Sequence, residues 1–203
     1  MLAFQALRVS ALRRKLLERG GTCRFVASPA ITEKAVVGQL PGSAQDLDLR
    51  VHSRKRLMIS VRPARLSDKD TLFAIWLRAV RATHLFLSEA DIDFYSGLVR
   101  TEYLPQAILW VAVDDADQPL GFMGMTEDKI DALFVAPEQH GKGVGRALVA
   151  YARGMAPKLS VDVNEQNEGA RSFYRRMGFR EVGRSERDDH GRAFPIVHLI
   201  LED

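Results

Sequence analysis

The sequence predicts a mixed α/β domain over residues 58–203, preceded by a basic segment over residues 1–57. Three observations carry this. Apolar runs of strand length and stretches of helical period alternate in the order β-α-α-β-β-β-α-β-α-β-β. The runs Ile108 to Val113 and Leu120 to Met125 are separated by the turn cluster Asp114-Asp115-Ala116-Asp117-Gln118-Pro119, which makes them an antiparallel hairpin. The stretch from Lys129 to Met155 reads as strand, glycine-rich turn and helix.

The bulk properties narrow the class. A chain of 203 residues fits one domain and an appendage, and its composition is ordinary for a globular protein. No apolar run reaches the length of a membrane span. The net charge of +3 is uneven: residues 1–57 hold 11 Lys/Arg against 4 Asp/Glu, and the remainder holds 18 against 22. The basic character therefore belongs to the N-terminal segment. The single cysteine, Cys23, lies there too, so no intramolecular disulfide can form, as suits a reducing compartment. With no cysteine after residue 57, a cysteine acyl-enzyme is excluded in the domain, and a cytoplasmic location is the expectation.

Along the chain, Leu2 to Arg19 has the pattern of a basic amphipathic helix, and residues 20–56 show no sustained period and read as flexible. This segment admits three readings: an upstream extension without a structural role, a tether or nucleic-acid-attracting arm, or a targeting sequence. Met58 to Pro63 is the first strand. Ser67-Asp68-Lys69-Asp70 reads as a capping signal for a helix through Leu72, Ile75, Trp76 and Val80, and Ser88-Glu89-Ala90-Asp91 opens a second helix with Ile92, Tyr95, Val99 and Tyr103. His84 lies between them, either touching substrate or satisfied by its neighbours. Lys158 to Val163 is a strand. Asn167 is placed to cap the helix bearing Ala170, Phe173, Tyr174 and Met177. Phe179 to Arg187 and Phe194 to Leu201 are the last strands.

The glycine turn is chemically informative. His140-Gly141-Lys142-Gly143-Val144-Gly145-Arg146 opens a helix with two cations and no acid, although a helix N-terminus favours acids. An anion such as a phosphate, held by backbone N–H groups, would reconcile the two; a plain turn with solvated cations is the alternative. The P-loop pattern fails for want of Lys-Ser or Lys-Thr, and the dinucleotide pattern fails at Arg146.

The run His140 to Gly145 resembles the phosphate loop of the GNAT superfamily of N-acetyltransferases, with His140 in place of the usual Gln or Arg. Asn167-Glu168-Gly169-Ala170-Arg171-Ser172-Phe173-Tyr174, followed by Met177-Gly178-Phe179, resembles that family's second motif. More narrowly, Ala82-Thr83-His84, Leu109 to Val113, Asp131 to Phe134 and Val163 to Glu168 resemble YjaB-type bacterial acetyltransferases. The resemblance covers about residues 58 to 200.

The resemblance implies a mostly antiparallel sheet, splayed around an acetyl-CoA cleft, with helices on both faces. It implies acetyl transfer by direct attack of a primary amine, on a small molecule or a protein lysine. Phe134 and Val135 would bind the pantetheine through their backbone, with the Val135 N–H facing the acetyl carbonyl. Residues His140 to Arg146 would hold the phosphates, and Asn167 the cofactor chain. Tyr174 would be the general acid. Asp131 is the first candidate for the base, with Glu127 and His84 in reserve and a plain hydrogen bond to a neighbouring strand or loop as the alternative; period two puts it on the same face as Val135. Trp76, His84 and Glu127 are the candidates on the acceptor side. No metal, membrane or nucleic-acid partner is expected, and the state is a monomer or homodimer. A non-catalytic acyl-CoA sensor and a longer acyl donor are the rival readings.

Overall fold

The computed structural model describes residues 58–202. The expectations for residues 1–57 lie outside them. The strands are β1 (Ser60–Pro63), β2 (Leu109–Val113), β3 (Pro119–Thr126), β4 (Lys129–Val135), β5 (Lys158–Asn164), β6 (Arg180–Ser185) and β7 (Ile196–Glu202). They form one sheet in the order β1-β2-β3-β4-β5-β7-β6. Every neighbouring pair is antiparallel except β4 and β5. The main helices are α1 (Lys69–Thr83), α2 (Glu89–Leu98), α3 (Val144–Met155) and α4 (Glu168–Arg176). After α2 the chain continues through a π turn, Val99–Tyr103, into a short helical turn, Leu104–Gln106.

Helices cover both faces of the sheet. Phe134 of β4 packs its ring against Trp76 of α1, with centroids 6.4 Å apart. Its neighbour Leu133 points the other way and approaches Gly145 of α3. Adjacent strand residues face opposite sides, so α1 and α3 sandwich β4. The apolar positions Leu72, Ile75, Trp76, Ala79 and Val80 recur at helical spacing and are all buried. Phe122, Phe134 and Trp76 lie within one continuous core.

Two polar links tie the α1–α2 side of the sheet to the β5–β7 side. The first joins His84, just after α1, to Asn167 at the start of α4. The second holds the β6–β7 loop on α2. The buried Asp188 accepts hydrogen bonds from the Tyr95 hydroxyl and, through Oδ1, from the backbone N–H groups of His190 (3.0 Å) and Arg192 (2.8 Å). Arg192 pairs with Asp91 and lies 4.2 Å from the Phe94 ring centroid.

The second capping signal forms as expected: Ser88 Oγ accepts from the Asp91 N–H, and Asp91 accepts from the Ser88 N–H (3.0 Å). The first does not. Ser67 lies inside a 3-10 turn, Leu66–Asp68, and the buried Asp68 reaches back to the Arg65 N–H (2.7 Å). Arg62 wins Asp68 for this arrangement, donating to both carboxylate oxygens at 2.8 and 3.2 Å.

The Arg62 hydrogen bonds hold Asp68 below the usual carboxylate range, against the opposing effect of burial. Its stabilisation is therefore complete above the ordinary aspartate pKa of about 4 and is lost as pH falls through the folded-state value. Asp68→Asn should cost roughly 2 kcal/mol at pH 7. In urea titrations the difference from the parent should narrow as pH drops below about 4; a constant difference would refute the ion-pair account.

Candidate active site

The site begins where β4 and β5 part. They pair at only two positions, Lys129↔Ser160 and Ile130↔Val161. Beyond Ile130, β4 remains paired with β3 but no longer with β5. The backbone direction there follows from one hydrogen bond. Ala136 N–H donates to Leu120 O on β3 (2.9 Å), so by alternation the N–H and C=O of Val135 turn away from β3, into the gap. The same alternation turns the backbone of Phe134 toward β3, while its ring lies in the core. Of the two residues expected to offer backbone contacts, Val135 is thus the one that faces the gap.

His140 sits against this edge. Its Nε2 lies 3.1 Å from Val135 O. A carbonyl only accepts, so Nε2 carries the proton. Burial lowers the His140 pKa and favours the neutral ring. His140 thereby ties the glycine turn to the end of β4. Gly141 and Gly143 take φ of 76° and 93°, a region L side chains avoid. A Cβ at either would meet nothing within 4 Å, so their requirement is conformational. Gly143 is the N-cap of α3, whose first turn holds no acid. Lys142 and Arg146 are exposed beside it, with no acidic partner among the described residues. The turn can therefore present N–H groups and two cations to an anion.

Tyr174 is fully buried on α4, its ring held edge-on by Phe173 (5.0 Å) and Phe179 (5.1 Å). Gly178, at φ 94°, turns the chain so that Phe179 can return onto it. The Tyr174 hydroxyl has no hydrogen-bond partner among the described residues. Burial raises its pKa, so it keeps its proton.

Asn167 and His84 form a chain whose proton positions can be assigned. Asn167 Oδ1 accepts from the Ala170 N–H (3.0 Å), capping α4. Its Nδ2 is then the end facing His84 Nε2 (3.4 Å), which accepts. His84 Nδ1 lies 2.9 Å from Thr83 Oγ1, whose own hydrogen goes to Ala79 O (2.7 Å). Nδ1 is therefore the protonated nitrogen. His84 is 1% exposed, and desolvation pushes its pKa down to about 3. It is a neutral clamp between α1 and α4. Trp76, also 1% exposed, is a core residue. Both of Asn167's amide groups are engaged within the fold.

Asp131 departs from simple alternation. Gly124 pairs with Ala132 but Met125 pairs with Ile130, so Asp131 is the extra residue of a β-bulge. Its carboxylate accepts from the Thr126 hydroxyl (2.5 Å). Thr126 and Gly124 share a face of β3, so Asp131 is drawn to that face and not to the one carrying Val135. The same-face expectation fails because the bulge breaks the period. Glu127 is exposed in the β3–β4 turn with φ 57°. At about 3.3 Å per residue, it is on the order of 25 Å along the strand from Val135, so the two are not brought together. A residue the sequence did not single out for chemistry, Tyr103, places its buried hydroxyl over Gly124. Its only signal was an aromatic position in the stripe of the second helix.

A sheet parted beside a glycine turn is the architecture shared with acyltransferases of the GNAT type. The family model described as "Acetyltransferase (GNAT) domain" matches residues 105–181. The peptidyl-lysine N-acetyltransferase YjaB of Salmonella typhimurium is 48% identical over 144 residues, 71% of this chain and 99% of the relative. The chain belongs to the GNAT acetyltransferase family. The solution structure of apo YjaB from Escherichia coli superposes with a TM-score of 0.68 at 49% identity, covering 70% of this chain and 97% of that one. The coenzyme A complex of the PaiA N-acetyltransferase from Thermoplasma acidophilum shares the fold, with a TM-score of 0.58 at 18% identity over 72% and 99% of the two chains.

A buried neutral His84 has a measurable signature. The unfolded chain binds a proton near pH 6.5 that the folded one refuses until about pH 3, so stability falls as pH drops between them. The slope from this group is at most about 1.4 kcal/mol per pH unit. His84→Gln should flatten the stability profile between pH 6 and 5, above the range where ordinary carboxylates of pKa about 4 titrate. Equal slopes in denaturant titrations of the two proteins would disprove the neutral clamp.

Proposed function

We propose that this acetyltransferase moves the acetyl group of acetyl-CoA directly to the ε-amine of a protein lysine. The observation that carries the reading is the open edge of β4, where the Val135 N–H faces the gap and His140 of the glycine turn meets the same residue; the buried, unengaged Tyr174 hydroxyl supports it. The lysine acceptor is supported by the 48% identical relative named as a peptidyl-lysine N-acetyltransferase.

The chemistry follows from these groups. Lys142, Arg146 and the turn's backbone N–H groups hold the phosphates, and the edge of β4 receives the amide-bearing arm as an added strand would be received. The acceptor ammonium first loses a proton toward Asp131. The amine nitrogen then attacks the thioester carbonyl, whose oxygen gains charge facing the Val135 N–H. Such a donor is worth about 3 kcal/mol in other acyl transfers. The C–N bond forms and the C–S bond breaks. The departing sulfur takes the Tyr174 proton, which burial has kept in place, and the second proton, shed by the nitrogen as the amide forms, passes through solvent to restore the phenol. His140 fixes the carbonyl of Val135 and so holds the N–H beside it in register.

Calorimetric titration should show acetyl-CoA binding at one site on the full-length chain, followed by transfer to lysine in a peptide. Tyr174→Phe should leave the Kd within about twofold and lower kcat by about a hundredfold or more. Absence of saturable binding, or an unchanged kcat in Tyr174→Phe, would reject this reading.

A further inference from the structure

Three side chains outside the site described above form one hydrogen-bonded chain across neighbouring strands. Asp162 of β5 lies opposite His198 of β7, and His198 lies opposite Gly183 of β6. His198 Nδ1 is 2.7 Å from Asp162 Oδ1. His198 Nε2 is 2.8 Å from the hydroxyl of Ser185, two residues along β6 from Gly183. The acetyl transfer above uses none of the three.

Each contact has a physical cause. Gly183 and Ser185 share a face of β6, so Ser185 is a diagonal neighbour of His198, within reach of a long side chain. Gly183 leaves space beside the ring, since a Cβ there would stand only 3.3 Å from His198 Cδ2. The carboxylate is held at its other oxygen, where Lys129 Nζ donates to Asp162 Oδ2 at 3.0 Å. Lys129 thereby supplies the counter-charge that the buried Asp162 requires, and the imidazole need not carry it. A carboxylate only accepts, so Nδ1 carries the proton of the neutral ring. Nε2 then presents a lone pair, to which the Ser185 hydroxyl donates. Serine, imidazole and carboxylate in this order, with these donors and acceptors, are an activated nucleophile and its oriented base, a constellation recognised by geometry on any fold.

The place also admits a substrate. The His198 side chain is 35% exposed, and Ser185 is half-buried. Among the described residues β6 pairs with β7 alone, as the last strand of the sheet. Alternate backbone N–H groups of such a strand point away from its neighbour. They are donors for an oxygen that gains charge beside Ser185.

We propose that Ser185 and His198, positioned by Asp162, form a second catalytic site that hydrolyses small carboxylic esters through an acyl-serine. Ser185 Oγ attacks the ester carbonyl while its proton passes to His198 Nε2. The C–O bond to the alcohol breaks, and the departing alkoxide takes that proton. Water then attacks the acyl group and gives a proton to Nε2. The bond to Ser185 Oγ breaks, the oxygen recovers the proton, and the carboxylic acid leaves. Asp162 steadies the imidazolium at both stages.

Two probes test this on the full-length chain: 4-nitrophenyl acetate, and an alkyl fluorophosphonate, which phosphonylates an activated serine and releases fluoride. Neither needs acetyl-CoA or an amine, so the outcome is independent of the acetylation reading. Mass spectrometry should find the phosphonyl group on the Ser185 peptide. His198→Gln should slow both labelling and ester turnover by about a hundredfold, the usual share of a general base. Ser185→Ala should abolish that label and lower ester turnover at least as far, with a level melting temperature, because it removes one half-buried hydroxyl. No label at Ser185, labelling at the parent rate in a folded His198→Gln, or unchanged ester turnover in Ser185→Ala would each overturn the proposal. Wild-type labelling and Ser185→Ala decide the matter by themselves if His198→Gln does not fold.

Discussion

The separation of β4 from β5 after two residue pairs is the constraint on which the rest of the molecule depends. Backbone groups inside a fold must find partners, and here one sheet leaves part of a central strand unmatched on one side. The unmatched stretch is rigid, because β3 holds its other edge along most of the length of β4 and aromatic rings pin Phe134 from below. The edge is thus fixed in direction before any ligand arrives. Preorganised N–H groups do not have to reorient as charge develops, which is the main source of their value in acyl transfer.

A parted sheet needs something to stop it from parting further or closing. Two polar links do this from one face. His84 joins the end of α1 to the cap of α4, and Asp188 with Arg192 joins the β6–β7 loop to α2. Both cross from the β4 side to the β5 side. The first is made of neutral groups only, which avoids burying a charge where no counter-charge is at hand. The second uses charge at a partly exposed place, backed by the Phe94 and Tyr95 rings. The gap is therefore braced by side chains far from the glycine turn.

Much of this was legible in the sequence. The strand and helix order, the glycine turn and the cap at Asn167 follow from period, residue type and spacing, because each depends on local chemistry. What escaped was non-local. Ser67 looked like a cap, but the competing acceptor Asp68 was already committed to Arg62 and Arg65 across the first turn. Asp131 was assigned a face by alternation, and a bulge, set by pairing with β3, re-aimed it. Phe134 and Val135 looked equivalent until a single ladder hydrogen bond showed which faces the gap. Tyr103 was indistinguishable from a core aromatic, since its meaning comes from a glycine more than twenty residues later in the chain.

The outer margins of the sheet tell a further story. β1 is short and ends in Pro63, which has no N–H to offer, and Arg62 beside it is engaged with two carboxylates. At the far side β6 is exposed and studded with Arg180, Glu181 and Arg184, each in an ion pair. Charge, brevity and proline are the usual defences against one chain templating another. Among the described residues, the unpaired apolar edge of β4 is by contrast internal, at its parting from β5. An edge placed inside the sheet is not offered to the sheet of a neighbouring chain. An internal edge can thus keep its backbone groups available without the aggregation risk that an outer one would carry.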